Sequence, residues 1–380
     1  SGGTTHQTEI CEALSKKADV VLLVSGKEKI IKKPTVRSDL KVGSGTTLFD
    51  YEIRSYPWIF DTIKNPRRAR KTVSKIDKLI EDLKPDILYY RVEPFEAFGV
   101  YTKLRIPKII ELNYNFYSVP YDFSKHLWKI RNFIMDRWLK NTIKNFDTVI
   151  VVSKSIKKSL LKHSVKSNMY VVPNGANLKK FYSDKKVKNS AVFLGGGGEH
   201  QGLDVLINSV EVLNKRGIDI NALIVGGSRV YKDFIEKIKK DLKKKDIKNV
   251  RFLGIVPPGK VPGILSECMI GVAPFKESQN EPFGFSPIKI FEYMASGLAV
   301  VASDTEWNKE IIKNNKNGIL FKTNDYLSLA DKLEFLIKNP NVAKKLGRSA
   351  RKDVEEYYNW ERAANETLNI IKKILLRRSL

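Results

Sequence analysis

The sequence predicts an α/β protein of two doubly wound domains, each a parallel sheet covered by helices. Three observations predict it. Short apolar, strand-like segments alternate with helical segments along the whole chain, a pattern that calls for crossover connections and strands buried on both faces. A polar, Lys-rich stretch at 181–189 interrupts the alternation, which then restarts, so two such series are joined by a linker. Glycine-rich turns follow strand-like segments, where a doubly wound domain places its ligand.

The first series opens with a helical segment at 5–17 and a strand at 19–24. A helix over 73–83 must end before Pro85, and a strand at 86–90 follows. Strands at 108–112, 148–152 and 169–172 complete this series. After the linker come a strand at 190–194, a glycine run and a helix over 203–215. Strands at 221–225, 250–253, 270–273, 299–302 and 318–321 follow, separated by helices, and the tail from Val342 is helical. The expected domains are 1–183 and 187–355, their sheets facing a central cleft, with a helix at 356–380 packing back toward the first domain. A doubly wound domain begins with a strand and then a glycine-rich turn, whereas this chain begins at the turn, Ser1-Gly2-Gly3-Thr4. The expectation is a missing first strand and an unfilled slot in the N-terminal sheet.

With 380 residues the chain has the length of two ordinary domains, and 42% hydrophobic residues exclude wholesale disorder. No apolar run approaches the roughly 18–20 residues that span a bilayer. Cys11 and Cys268 stand outside any Cys-x-x-Cys or Cys/His cluster, and there are four His residues. A disulfide framework, a structural zinc site and a metal cofactor are therefore not expected, and a reducing cytoplasm is. The net charge of +26 fits nucleic acid, an anionic membrane, phosphorylated substrates, or solvated lysines alone. No nucleic-acid-binding module is recognisable, so nucleic acid is not an expected partner. The lysine run at 237–246 reads as the outer face of a helix. Residues 114–146 interleave aromatics with cations, and 65–71 add a second basic cluster. Two readings stay open: a helix lying on the inner face of an anionic membrane, or aromatics packed into the core.

The segment Glu281-Pro-Phe-Gly-Phe-Ser-Pro-Ile-Lys-Ile-Phe-Glu292 carries the chemistry. It is a glycine-containing loop that runs into a helix. Ser286 offers a hydroxyl cap and Pro287 suits the first helical position. Loop amides and a helix N-terminus seat a diphosphate, and Lys289 adds a full charge in the first turn. Taken alone, Glu292 has two open readings: a carboxylate accepting two hydrogen bonds from a ribose diol, or one that faces solvent or caps a neighbour.

This stretch resembles the donor-site signature of glycosyltransferase family 4. Val152-Ser153, Val172-Pro-Asn-Gly-Ala-Asn177, Phe193-Leu-Gly195, Val225-Gly-Gly227, Arg251-Phe-Leu-Gly254, Val300-Val-Ala-Ser-Asp304 and Asn317-Gly-Ile-Leu320 extend the resemblance over nearly the whole chain. It implies the GT-B fold and a retaining transfer of a hexose-type sugar from a nucleotide diphosphate sugar. The acceptor would be a glycan, a lipid-linked molecule or a small molecule. It further implies that Glu292 binds the donor ribose, that Phe285 and Ser286 amides contact the diphosphate and sugar, and that Leu253 and Gly254 lie near the base. Gly2 and Gly3 would approach the donor from the N-terminal domain. Asn113 falls near where many relatives carry a His beside the sugar, and it joins Lys289 and Glu292 as an expected catalytic residue.

The departures bear on activity. Family members carry two Glu residues separated by seven others, and Gly284 stands in the first place, with Glu281 three residues earlier. In Gly195-Gly-Gly-Gly-Glu-His-Gln-Gly202, relatives place Arg after the first Gly and Lys before the last, whereas this chain has Gly196 and Gln201. Loss of two phosphate-binding cations weakens leaving-group stabilisation. His200 or Gln201 would then serve as neutral donors beside Lys289, or the chain is a weak or inactive sugar-nucleotide-binding relative. No Asp-x-Asp occurs, so a metal-independent reaction is expected. Of the nearest approximations, Asp50-Tyr-Glu52 and Asp353-Val-Glu355 read as solvated charges and Asp304-Thr-Glu306 as structural.

Overall fold

The computed structural model describes residues 2–23, 46–50, 77–78, 80–91, 104–118, 125–181, 187–228, 231–277 and 284–378. These form two compact units. One comprises Gln7–Pro173, Phe283–Phe285 and Glu361–Leu380; the other comprises Ser1–His6, Asn174–Pro282 and Ser286–Trp360. Glu281, the cluster at 65–71 and the first four residues of the expected helix at 73–83 lie outside the described residues.

The N-terminal unit is built on six parallel strands: β1 (Asp19–Leu23), β2 (Thr46–Asp50), β3 (Ile87–Arg91), β4 (Lys108–Leu112), β5 (Thr148–Val151) and β6 (Met169–Val171), hydrogen-bonded in sequential order. Among the described residues these six strands pair with one another without a gap. The strand β2, which the sequence reading missed, pairs with β1 on one side and β3 on the other, in parallel register. Its Thr46-Thr-Leu-Phe49 core is β-branched and apolar and suits a pleated surface. The helix α1 (Gly2–Leu14) includes Gly2 and Gly3, which the sequence placed in a turn.

Helices α2 (Lys125–Ile143) and α3 (Lys154–Lys162) cover one face of this sheet. Met135, Leu139, Ile143, Ile156 and Leu160 pack there with Leu88, Ile110, Leu112, Val149 and Val151 in one buried cluster. The aromatics of 114–146 divide between the two readings. Phe116 and Tyr117 are fully buried, while Phe133 is 70% and Ile134 49% exposed. Ser153 caps α3, its hydroxyl accepting from the Ile156 amide at 3.2 Å, as N-cap chemistry requires. The tail helix α11 (Trp360–Arg378) is tied to the α1 end of this unit by Lys16 to Glu361 and Lys17 to Asn365, both at 2.6 Å.

The C-terminal unit holds β7 (Ser190–Leu194), β8 (Asn221–Val225), β9 (Val250–Gly254), β10 (Ile270–Ala273), β11 (Ala299–Ser303) and β12 (Ile319–Phe321). Their order is β12-β11-β10-β7-β8-β9, all parallel. This is the doubly wound arrangement, and its order reverses between β7 and β10. The helices here are α4 (Leu203–Lys215), α5 (Lys232–Lys244), α6 (Val261–Glu267), α7 (Ile288–Ala295), α8 (Glu306–Ile311), α9 (Tyr326–Lys338) and α10 (Pro340–Tyr357). In α4 the buried residues Leu203, Leu206, Ile207, Val210 and Leu213 recur at helical spacing and meet the sheet. In α5 only Ile238 and Leu242 are buried, so the lysine run is the solvated face expected. Among the described residues no helix is long and apolar enough to cross a membrane.

Backbone contact at Gly347 sets how closely α10 approaches the chain before β11. A Cβ there would meet the Gly297 carbonyl oxygen at 2.1 Å, whereas one at Gly263 in α6 meets nothing within 4 Å. Gly347→Ala is expected to cost about 1–3 kcal/mol through overpacking, and Gly263→Ala to gain up to about 1 kcal/mol in helix propensity. Urea unfolding of both variants checks the pair; equal midpoints would contradict the packing described.

Candidate functional site

The loops after four strands of the C-terminal unit gather near the order reversal. β7 runs into Gly195, β8 into Gly226, β9 ends at Gly254, and β10 runs into Pro274 and Phe275. Ligands of open parallel sheets bind at this place. Gly226 has φ +110°, and a Cβ on it would lie 2.2 Å from the Gly195 carbonyl oxygen. Gly202 has φ +69°, with the Pro274 oxygen 1.7 Å from a built Cβ. Both positions admit only glycine, and they draw the loops after β7, β8 and β10 together.

The helix α7 starts directly behind this rim. Pro287 is its cap residue, and no side chain caps it. The Ser286 hydroxyl does not cap the helix as the sequence suggested; it accepts from the Asn174 amide at 3.0 Å. A long-range partner has taken the group that a local motif would have used. Lys289 lies in the first turn, its Nζ 4.5 Å from the ring centre of Phe193 and 4.7 Å from that of Phe275. Gln201 Oε1 accepts from the same ammonium at 3.4 Å. A Cβ at Gly195 would sit 2.1 Å from Gln201 Oε1 and 2.9 Å from Lys289 Nζ, so glycine there makes room for both. Glu292 follows three residues later on the same helical face, partly buried.

Burial pushes the Lys289 ammonium down to about 7, against the attraction of Glu292. Burial and the Lys289 charge push His200 down to about 4, leaving a neutral imidazole at pH 7. Lys276, beyond β10, is paired with Asp204 at 2.5 Å. At Gly196, where relatives carry Arg, a built Cβ has only ordinary contacts, 3.8 Å to Ser228 and 3.9 Å to Gln201.

The structure thus brings Gly195, Gly196, Gln201, Lys289 and Glu292 to one rim, with Ser286 and Pro287 at its edge. Leu253 and Gly254 close β9, Leu253 36% exposed and Gly254 at φ +68°. Gly284 and Phe285 cluster with the N-terminal unit. Gly284 has φ +65°, its carbonyl accepts from the Ser153 hydroxyl at 2.6 Å, and a Cβ would press on Ile156 at 2.8 Å. Asp304 accepts from the Thr323 amide and hydroxyl, and Asp353 from Asn317, so both are structural rather than solvated.

In the N-terminal unit Asn113 directly follows β4. Its Oδ1 and Nδ2 are buried and have no hydrogen-bond partner among the described residues. Two residues earlier, Glu111 accepts from the Tyr89 hydroxyl and lies 3.7 Å from Arg91 Nε. Burial and the Glu111 charge hold the Tyr89 phenol well above its ordinary value and push the Cys11 thiol up to about 12.

The sequence reading missed Phe275, Tyr293 and His6, and quoted Phe193 and Asn174 within longer segments without giving either a role at the site. Tyr293 is fully buried, and its hydroxyl accepts from the Leu194 amide at 2.7 Å, pinning α7 to the end of β7. The signal available was a Tyr one residue after Glu292 on an otherwise apolar face.

Residues 174–353 match the family model for glycosyl transferases group 1, and residues 1–180 match that for Glycosyltransferase Family 4. The chain belongs to glycosyltransferase family 4. An uncharacterized glycosyltransferase of Methanocaldococcus jannaschii is 28% identical over 249 residues, 64% of this chain and 66% of that protein. The chain therefore spans just under two thirds of that relative. Sucrose-phosphate synthase from Thermosynechococcus elongatus superposes with a TM-score of 0.76 at 18% identity, covering 99% of this chain and 94% of that one. HepE from Anabaena, in complex with UDP and glucose, gives 0.67 at 16% identity, covering 86% and 91%. These likenesses establish the GT-B fold for this family 4 chain.

The folded value of Lys289 lies below the 10.5 of an exposed lysine. Between about 7 and 10.5 the unfolded chain binds a proton that the folded chain does not, so this group's contribution to stability rises with pH across that window. Lys289→Met is expected to be the more stable protein below about pH 7, with its advantage shrinking as pH rises. Unfolding midpoints from about pH 6 to 9 check this; parallel pH profiles would rule it out.

Proposed function

We propose that this family 4 glycosyltransferase moves a hexose-type sugar from a nucleotide diphosphate sugar to a glycan, lipid-linked or small-molecule acceptor, with retention and without a metal ion. The observation that carries the reading is the ammonium of Lys289 at the mouth of α7, one turn before Glu292, at the point where the strand order reverses. A diphosphate placed there meets a full positive charge and a helix N-terminus together. The UDP and glucose in the HepE complex support a sugar-nucleotide donor.

In the reaction the bond from the anomeric carbon to the diphosphate oxygen breaks. The acceptor oxygen bonds to that carbon on the same face, and its proton passes to the departing phosphate. Charge grows on the diphosphate as the bond breaks, so Lys289 acts more strongly in the transition state than before it. Glu292, one turn after Lys289 on the same helix, binds the ribose diol. Gly196 and Gln201 favour the second reading, a sugar-nucleotide-binding relative of weak activity.

A donor screen with mass-spectrometric readout tests the assignment. Transfer or donor hydrolysis should persist in EDTA, fall about 10²–10³-fold in kcat for Lys289→Met, and show a raised donor KM for Glu292→Ala. Strict metal dependence, or a Lys289→Met enzyme of undiminished kcat, would refute the mechanism.

An anionic membrane surface is the proposed site of work. Phe133 and Ile134 are exposed on α2, and Arg137, Asn141 and Lys144 continue the same exposed stripe. Apolar tips flanked by cations suit an anionic interface. The protein should co-sediment with phosphatidylglycerol vesicles and not with phosphatidylcholine ones, and Phe133→Ser with Ile134→Ser should weaken the binding. Equal recovery with both vesicle types would count against it.

A further inference from the structure

The helix that carries Lys289 and Glu292 is gripped at both ends by one segment, 174–181, in its own compact unit. At the front, Asn174 holds Ser286 twice. Its main-chain amide donates to the Ser286 hydroxyl at 3.0 Å, and its Nδ2 donates to the Ser286 carbonyl at 2.7 Å. At the back, the Arg351 guanidinium donates to the carbonyl of Ala295, the last residue of α7, and to that of Phe181. The segment itself is fixed. Ala176 donates to the Tyr358 carbonyl at 3.0 Å, and a Cβ on Gly175 would lie 2.5 Å from the Asn359 backbone.

A third residue backs the front grip from the far side of the Asn174 amide. His6 on α1 is 4% exposed, with Nδ1 2.6 Å from Asn174 Oδ1, and its ring meets Trp360 edge-on at 5.2 Å. A carbonyl oxygen only accepts, so the side of the Asn174 amide facing Ser286 must be nitrogen. The oxygen side then faces His6, and His6 Nδ1 must carry hydrogen. The Ser286 carbonyl selects the orientation of the amide, and the imidazole, as its Nδ1–H tautomer, supports that orientation from the other side. Because the Ser286–Pro287 peptide is planar, fixing its carbonyl fixes the plane from which α7 departs.

We infer that Asn174, supported by His6, is a positioning residue for the donor seat: the pair aims the start of α7, and with it Lys289, at the diphosphate. Neither residue is assigned a contact with substrate. The inference rests on the functional reading above for its purpose, but the aiming itself is a property of the protein alone.

The test therefore has two arms. Hydrogen–deuterium exchange of 284–292 should quicken about tenfold in Asn174→Ala and in His6→Leu, the scale of one lost hydrogen bond, while β11 stays unchanged. His6→Asn, whose Nδ2 restores a donor near the imidazole Nδ1, should behave like wild type, and His6→Leu combined with Asn174→Ala should be no faster than Asn174→Ala alone. In the second arm, calorimetry with UDP, GDP and ADP should show the same ranking of variants in affinity for whichever nucleotide wild type binds. Unchanged exchange at 284–292 in His6→Leu, or failure of His6→Asn to restore it, would overturn the inference, and the His6 variants decide it even should Asn174→Ala not fold. If wild type binds none of the three nucleotides, the functional reading falls while the exchange arm still decides whether the pair aims the helix.

Discussion

A single ammonium held between two aromatic rings is the constraint around which the C-terminal unit is arranged. A lysine placed this way is costly as a cation, and burial outweighs the attraction of Glu292. The rings of Phe193 and Phe275 offer their negative faces, and Gln201 offers a carbonyl oxygen. The full negative charge that acts on this ammonium within the protein is that of Glu292. Glycines at 195, 202 and 226 serve the same end by letting three loops converge without side chains between them.

Much of the fold was legible because parallel strands buried on both faces are nearly pure apolar runs, and β7, β8, β10 and β11 read that way directly. The strand β2 was not. Its five residues mix Thr and Asp with two apolar side chains and stand among polar neighbours, so neither period nor length marked it. The expectation of an unfilled slot came instead from the glycines at the start of the chain, which lie in the helix α1.

The site divided in the same manner. The placement of Lys289 and Glu292 one turn apart was readable because it depends on spacing within one helix. Asn174 and His6 were not, since Asn174 lies 112 residues from Ser286 and 168 from His6, and no local pattern reports a hydrogen bond across that distance. Ser286 shows how a local rule fails. A serine before a proline at a helix start reads as a cap, and the reading would hold if no stronger donor reached the hydroxyl first. The lost family cations were also visible in sequence, but that position 196 keeps room for a side chain, while position 201 turns its amide onto Lys289, needed coordinates.

Arg351 gives the arrangement one more property. Its guanidinium joins the carbonyls of Ala295 and Phe181, and an arginine keeps its charge at any pH a protein survives. The frame behind α7 therefore does not loosen over the interval in which Lys289 exchanges its proton. Front and back of the same helix respond differently to acidity: one end changes state near neutrality, the other is indifferent. A change in behaviour near pH 7 would thus report on the ammonium in front, with the bracing behind it left as it was.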